Sequence, residues 1–130
     1  MQILYRGGAV FDGENAPIAD HGVLVDGDTV AEVAPAATFD GFAGTVVDTT
    51  GGTLMPGLID CHVHLCLGGE GDPGTAAEKL LPGQTVMTAL ARAQTTLAGG
   101  VTGIRDCGGR NYLEFAVRDA CNAGDQLGPS

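Results

Sequence analysis

Short apolar runs separated by glycine-containing turns fill the start of the chain. In "GVLVDGDTVAEVAP", Val23 and Val25 precede the dipeptide Asp26-Gly27, and further valines follow it. Asp-Gly readily adopts the positive φ angles of a two-residue hairpin turn, so this pattern predicts an antiparallel hairpin. The runs "ILYRGGAVFDG" and "GTVVDTTGG" predict further strands. We therefore expect a small β-sandwich-like segment over residues 1–55.

A second pattern begins at Pro56-Gly57, a turn signal. The following residues, "LIDCHVHL", alternate with period two, as a β-strand does. One face carries Leu58, Asp60, His62 and His64, and the other carries Ile59, Cys61, Val63 and Leu65. The second face is apolar throughout, whereas the first becomes polar towards its C-terminal end. This predicts a strand with one packed side and a polar end.

Helical spacing follows a glycine-rich loop over residues 66–83. In "QTVMTALARAQTTLAGG" the predicted buried stripe is Val86, Leu90, Ala93 and Leu97, with Met87, Ala91 and Ala98 alongside, and Gly99-Gly100 is expected to end the helix. "VTGIRDC" predicts a second strand.

The last predicted element is a helix over "NYLEFAVRDACNAG". Asn111 is expected to cap it with Glu114 in a capping box, and Gly124 to end it. Its predicted buried stripe consists of Leu113, Val117, Ala120 and Cys121. Strand, loop, helix, strand and helix make two βα units of a parallel sheet over residues 56–130. The predicted fold class is α/β, the first part of a (β/α)₈ TIM-like barrel that is incomplete in this chain.

Composition and charge exclude several classes of function. The 130 residues are 44% hydrophobic and carry a net charge of −10, which argues against binding to nucleic acid or an anionic membrane. The apolar runs are too short for a membrane span, and "MQILYRGG" does not resemble a secretory signal. We therefore expect a cytoplasmic protein whose four cysteines are reduced thiols.

His62 and His64 are the candidate metal ligands. Both project from one side of the predicted strand, where two imidazoles can share a cation roughly 2.0–2.1 Å from each nitrogen. Asp60 is a candidate to hydrogen-bond to a ligand or neutralise the site. A structural histidine pair is the alternative. Cys61 points to the opposite face, so we expect it to pack under the barrel helices as a small hydrophobe and not to bind metal.

Arg105 and Asp106 end the second predicted strand. Active sites of α/β barrels lie at this end of the strands, so both residues are candidates for the edge of a site. The alternative is an ion pair between them that anchors the loop.

The segments "LMPGLIDCHVHL", "AGGVTGIRDCGG" and "AGDQLGPS" resemble the amidohydrolase superfamily of metal-dependent hydrolases, in particular its imidazolonepropionase-like and Xaa-Pro dipeptidase-like branch. The resemblance implies that His62 and His64 bind the more buried of one or two divalent metals, usually zinc. It also implies hydrolysis of an amide, imide, carbamate or dipeptide-like C–N bond by a metal-activated water. In that family a bridging lysine, two further histidines and an aspartate general base come from later strands, which implies that the general base lies outside this chain.

About 73 residues follow Gly57, whereas a complete (β/α)₈ barrel takes roughly 250. We therefore expect the remainder of the barrel as a partner, in the form of a second chain that arises by cleavage or is made separately. The plain alternative is that this sequence is truncated. A small-molecule substrate and a homo-oligomer of the assembled enzyme are also expected. A non-catalytic scaffold of the same fold, or a stand-alone metal-binding module, are the alternative functions.

Overall fold

The computed structural model describes residues 1–69 and 71–130. Within them the backbone forms two units, Met1–Pro56 and Gly57–Ser130, each with its own sheets. Assignment of the first unit to a sandwich-like domain, and of the second to part of a hydrolase barrel, stays a prediction. None of the helices in these two ranges has the length and apolar character needed to cross a bilayer.

The first unit contains a mixed four-stranded sheet and a small two-stranded parallel sheet. The strands are β1 (Gln2–Arg6), β2 (Ala9–Val10), β3 (His21–Asp26), β4 (Thr29–Pro35), β5 (Thr45–Asp48) and β6 (Thr53–Leu54), with a 3₁₀ helix at Ala36–Phe39. The larger sheet has the order β4-β3-β1-β5, in which only β1 and β5 are parallel, and β2 pairs with β6.

The hairpin of β3 and β4 confirms the prediction made from Asp-Gly. Asp26 pairs with Thr29 across the turn, and Gly27 lies at φ +64°, where a side chain would be strained. Leu4 on β1, Val23 on β3 and Phe39 of the 3₁₀ helix are the buried apolar side chains among the described residues of this unit.

The second unit is a mixed α/β arrangement built on two parallel strands. Its elements are β7 (Leu58–Val63), α1 (Pro73–Glu78), α2 (Pro82–Ala98), β8 (Val101–Asp106), a 3₁₀ helix (Arg110–Tyr112) and α3 (Glu114–Asn122). This confirms the α/β class and the predicted order of strands and long helices. The described residues form no closed barrel.

Close approach of the backbone brings β7 and β8 together at their N-terminal ends. The Leu58 amide donates to the Gly100 carbonyl at 2.9 Å. A Cβ at Gly57 would lie 2.6 Å from Cβ of Thr102 on β8, so only glycine fits there. Ser130 forms two main-chain hydrogen bonds with β8: its amide donates to the Thr102 carbonyl at 3.0 Å, and its carbonyl accepts from the Ile104 amide at 2.8 Å.

The core of this unit lies between the ends of the two strands and helices α2 and α3. The buried residues are Leu65, Cys66, Ala89, Ala93 and Val117, and Val63, Val86, Leu90, Ile104, Leu113 and Cys121 pack against them. The stripe predicted for α3 is therefore confirmed at Leu113, Val117 and Cys121, and Ala120 is half-buried. On α2 the predicted stripe is confirmed at Val86, Leu90 and Ala93. Thr85 and Ala89 are buried as well, whereas Met87, expected beside the stripe, is 66% exposed. The Thr85 hydroxyl donates to the Leu81 carbonyl at 3.3 Å, which lets a threonine occupy the core.

Three further expectations need correction. The loop predicted over residues 66–83 contains α1, and its residue 70 lies outside the described residues. Asn111 does not cap α3: it lies at φ 57° within a 3₁₀ helix, and α3 begins after Leu113 without a side-chain cap. Glu114 therefore makes no capping box with Asn111, although it starts the helix.

Cys61 does not pack under helices among the described residues. It is exposed, and its neighbour on the same face, Ile59, is 73% exposed. The reason is that α2 and α3 pack on the C-terminal end of this face, at Val63 and Leu65. The expectation of a buried thiol at this position is wrong for the structure described.

Candidate metal centre

The two histidines of the His-x-His motif stand together at the C-terminal end of β7. His62 is the penultimate residue of the strand, and His64 follows its last residue. Their rings lie at 74° to each other with centroids 5.2 Å apart, and the two Nε2 atoms are separated by 3.3 Å. The rings therefore project from one side of the strand end.

This separation fits two ligands of one cation. Two zinc–nitrogen bonds of 2.0–2.1 Å at a tetrahedral angle place the nitrogens roughly 3.3–3.4 Å apart. His62 is exposed and His64 half-buried, so a cation can reach the pair from solvent. The donor set thus suits a divalent metal that accepts imidazole ligands.

A hydrogen bond fixes the tautomer of His64. Its Nδ1 lies 2.6 Å from the carbonyl oxygen of Gly108, which can only accept. Nδ1 must therefore carry a proton, and in the neutral ring Nε2 then presents a lone pair towards His62. Metal-binding histidines in proteins are commonly held in this way by a carbonyl or carboxylate.

Asp60 supports the backbone of the motif rather than a ring. Its Oδ1 accepts a hydrogen bond from the main-chain amide of His62 at 3.0 Å. The carboxylate lies two residues before the candidate ligand, as the alternation predicts. It stiffens the strand where the first imidazole leaves it.

Asp106 ties the two strand ends together. Its Oδ2 accepts from the Leu65 amide at 3.0 Å, and its Oδ1 accepts from the Gly108 amide at 2.8 Å. Arg105 is exposed, and among the ion pairs of the described residues none joins it to Asp106. The loop is thus anchored by Asp106, but through main-chain amides instead of the ion pair considered as an alternative.

Behind the site, Cys66 and Glu114 are buried together. Cys66 is 1% exposed, and its Sγ donates to Oε2 of Glu114 at 3.8 Å. Burial, with added repulsion from the carboxylates of Glu114 and Asp106, raises the pKa of this thiol. Cys66 therefore stays protonated at neutral pH and is unsuited to bind a metal as thiolate.

Sequence reasoning missed one contributor to this site, the Gly108 carbonyl, which is a main-chain group and leaves no side-chain signature. The sequence predicts Glu114 as part of a helix cap, whereas the structure buries it beside Cys66. Across residues 1–69 and 71–130, no cluster of three or more His, Cys, Asp or Glu side chains has metal-binding geometry. The pair of histidines is therefore a partial donor set.

Comparison with known proteins identifies the family. Residues 53–129 match the model of the amidohydrolase family, and the chain belongs to this family. The matched range includes both histidines and every element from β6 to α3. The resemblance carried by the His-x-His and glycine-rich segments is thereby confirmed at the level of the superfamily, whose members bind divalent metals.

The names of individual relatives give different substrates. An adenine deaminase of Chelativorans sp. (strain BNC1) is 40% identical over 48 residues, which are 37% of this chain and 8% of the relative. A dihydroorotase of Carboxydothermus hydrogenoformans is 33% identical over 105 residues, 80% of this chain and 21% of the relative. The solved structure of a prolidase complexed with N-methylphosphonate-L-proline matches with a TM-score of 0.81 and 30% identity, covering 99% of this chain and 30% of the prolidase chain. The chain thus spans less than a third of the length of each of these relatives.

Proposed function

We propose that this chain is the N-terminal part of a metal-dependent amidohydrolase, and that His62 and His64 are two ligands of its divalent metal. The observation that carries the proposal is the 3.3 Å separation of the two Nε2 atoms, with His64 oriented by the Gly108 carbonyl. A structural pair joined by a ring-to-ring hydrogen bond would show the same separation, so the metal content of the protein decides between the two.

The roles of the chain's own residues follow from their contacts. Both imidazoles offer Nε2 lone pairs to the cation, and His64 keeps its proton at Nδ1. Asp60 and Asp106 hold the main chain on either side of the pair through amide hydrogen bonds. A bound divalent cation supplies Lewis-acid chemistry, because it lowers the pKa of water to about 7 and polarises a carbonyl oxygen. Zinc is the default for imidazole ligands, although manganese, iron or nickel also suit them.

The rest of the active site comes from the remainder of a (β/α)₈ barrel. Two histidines are fewer than the three protein ligands usual in a catalytic zinc site. The remaining ligands, any second metal and the general base are assigned to later strands. Arg105 lies at the edge of this site. The proposal also includes a small-molecule substrate and a homo-oligomer of the assembled enzyme in the cytoplasm, without nucleic acid or membrane as partners.

The proposed reaction is hydrolysis of an amide, imide, carbamate or dipeptide-like C–N bond. Its support is that the relatives, a deaminase, a dihydroorotase and a prolidase, are hydrolases of C–N bonds. The names of these relatives give different substrates. The proposal for this chain therefore includes only the type of bond that they share.

Metal analysis of the full-length protein tests the proposal. Purified protein is analysed by elemental mass spectrometry beside the His62→Ala, His64→Ala and His21→Ala variants. His21 is a matched control, because it is the third histidine of the chain and its Nδ1 contacts the Ala19 carbonyl, at 2.9 Å, away from the His-x-His motif. We expect the first two variants to lose metal and amide hydrolysis together, and the control to keep both. Full metal content in either of the first two variants would refute the assignment.

A further inference from the structure

We propose that Glu114 is a positioning residue for the metal site and that it acts on His64 through one peptide unit. The inference rests on the proposed function, since it takes His64 as a metal ligand. It adds a carboxylate that is 50 residues away in sequence and does not reach the imidazole itself.

The peptide unit between Gly108 and Gly109 is hydrogen-bonded at both ends. Its carbonyl oxygen accepts from Nδ1 of His64 at 2.6 Å. Its N–H, on Gly109, donates to Oε1 of Glu114 at 3.2 Å. The carboxylate and the imidazole therefore face each other across a single planar group, which cannot rotate without breaking one of these bonds.

Glu114 is itself held in place. Its side chain is in the first turn of α3, the residue is 5% exposed, and its second oxygen accepts from the buried Cys66 thiol. The N-terminal end of a helix favours a negative charge. A Cβ on Gly109 would lie 2.7 Å from Oε2 of Glu114 and 2.9 Å from Cβ of Cys66, so glycine is what allows the peptide to reach the carboxylate.

This arrangement has an electronic and a geometric consequence. A carboxylate at the N–H end polarises the peptide and makes its carbonyl a stronger acceptor for the Nδ1 proton of His64. A stronger bond at Nδ1 raises the basicity of Nε2 and locks the ring orientation, which are the two properties that tune a histidine ligand. The glutamate also prevents the glycine-rich turn from swinging its carbonyl away.

Four variants of the full-length protein separate this role from a purely structural one. Glu114→Ala removes the carboxylate, and Glu114→Gln keeps an acceptor without the charge. Val117→Ala opens a cavity under the same helix, since Val117 is 2% exposed, and Asp119→Asn removes an exposed charge from it. Three quantities are measured: thermal stability, zinc affinity by competition with a chromogenic chelator, and the ¹H and ¹⁵N resonances of the His64 Nδ1–H group in ¹⁵N-histidine-labelled protein.

We expect Glu114→Ala to weaken zinc binding about tenfold, the lower end of the range for residues that support a ligand, because one peptide intervenes. Its Nδ1–H resonance should move upfield and exchange faster with water. Glu114→Gln should show smaller changes of the same kind. Val117→Ala should lower thermal stability and leave zinc affinity and the resonance unchanged, and Asp119→Asn should change none of the three.

Several results would overturn the inference. Unchanged zinc affinity and an unchanged Nδ1–H resonance in both folded Glu114 variants would remove it while leaving the metal site intact. Loss of zinc affinity in Val117→Ala equal to that in Glu114→Ala would make the role structural. If the unaltered protein binds none of zinc, manganese, iron and nickel, the proposed function fails, and the Nδ1–H resonance still decides whether Glu114 acts on His64. If Glu114→Ala does not fold, Glu114→Gln decides the question.

Discussion

Asp106 carries a prediction whose size can be worked out from its contacts. The carboxylate accepts two main-chain amides, from Leu65 at 3.0 Å and from Gly108 at 2.8 Å. Hydrogen bonds to a charged group contribute about 1.5–3 kcal/mol each, and the lower end applies because Asp106 is only half-buried. Asp106→Ala should therefore lower the free energy of unfolding by about 3 kcal/mol.

Asp106→Asn provides an internal comparison. Its single carbonyl oxygen can accept one of the two amides, so we expect about half of the alanine effect. Urea denaturation of the full-length protein measures the free energy of unfolding of both variants. Its slope with urea concentration should be unchanged, which shows that the variants alter stability alone. A loss below about 0.5 kcal/mol for Asp106→Ala, the usual range of a surface substitution, would refute the reasoning.

Three smaller predictions follow. Gly109→Ala should lower the free energy of unfolding by about 1–3 kcal/mol, because the added Cβ would lie 2.9 Å from Cβ of Cys66. Gly83→Ala on α2 is the control: nothing lies near its added carbon, so it should be neutral or stabilising, and paired denaturation curves test both variants. In the native full-length protein iodoacetamide should leave the buried Cys66 unlabelled and should label it after unfolding, and equal rates in the two states would contradict the described burial. Burial raises the pKa of the Cys66 thiol in the folded state above its ordinary value of 9.0, so the folded state keeps this proton to higher pH than the unfolded state does. The stability that this group contributes should therefore be complete below pH 9 and be lost as the pH rises through the folded pKa. Cys66→Ala should lack this dependence of the free energy of unfolding on pH.

Alternation and helical spacing predicted the elements that carry the site. Period two in "LIDCHVHL" is a property of the extended backbone, so it gave both the strand and the shared side of the two histidines. Spacing of three and four found α2 and α3 for the same reason. On α2 the same spacing found the packed residues Val86, Leu90 and Ala93, but it missed Thr85, whose hydroxyl is satisfied by a local hydrogen bond that composition does not reveal.

The contacts behind the site could not be predicted in the same way. The capping box predicts that Glu114 accepts a hydrogen bond from the Asn111 amide. It accepts one from the Gly109 amide instead, because a 3₁₀ turn with Asn111 at φ 57° precedes the helix. The Gly108 carbonyl that orients His64 is a main-chain group, present at every position. Such contacts depend on where the tertiary fold brings a loop, so only the structure identifies them.

The central claim is that His62 and His64 bind one divalent metal, and an anomalous-difference map tests it most directly. Crystals of the full-length protein, with data collected at the absorption edge of the metal found by elemental analysis, should give a peak roughly 2.0–2.1 Å from Nε2 of both residues if that metal is zinc. His64→Ala crystals collected in the same way should lack the peak. A metal peak that contacts neither imidazole, or a fully occupied peak that survives in His64→Ala, would contradict the account.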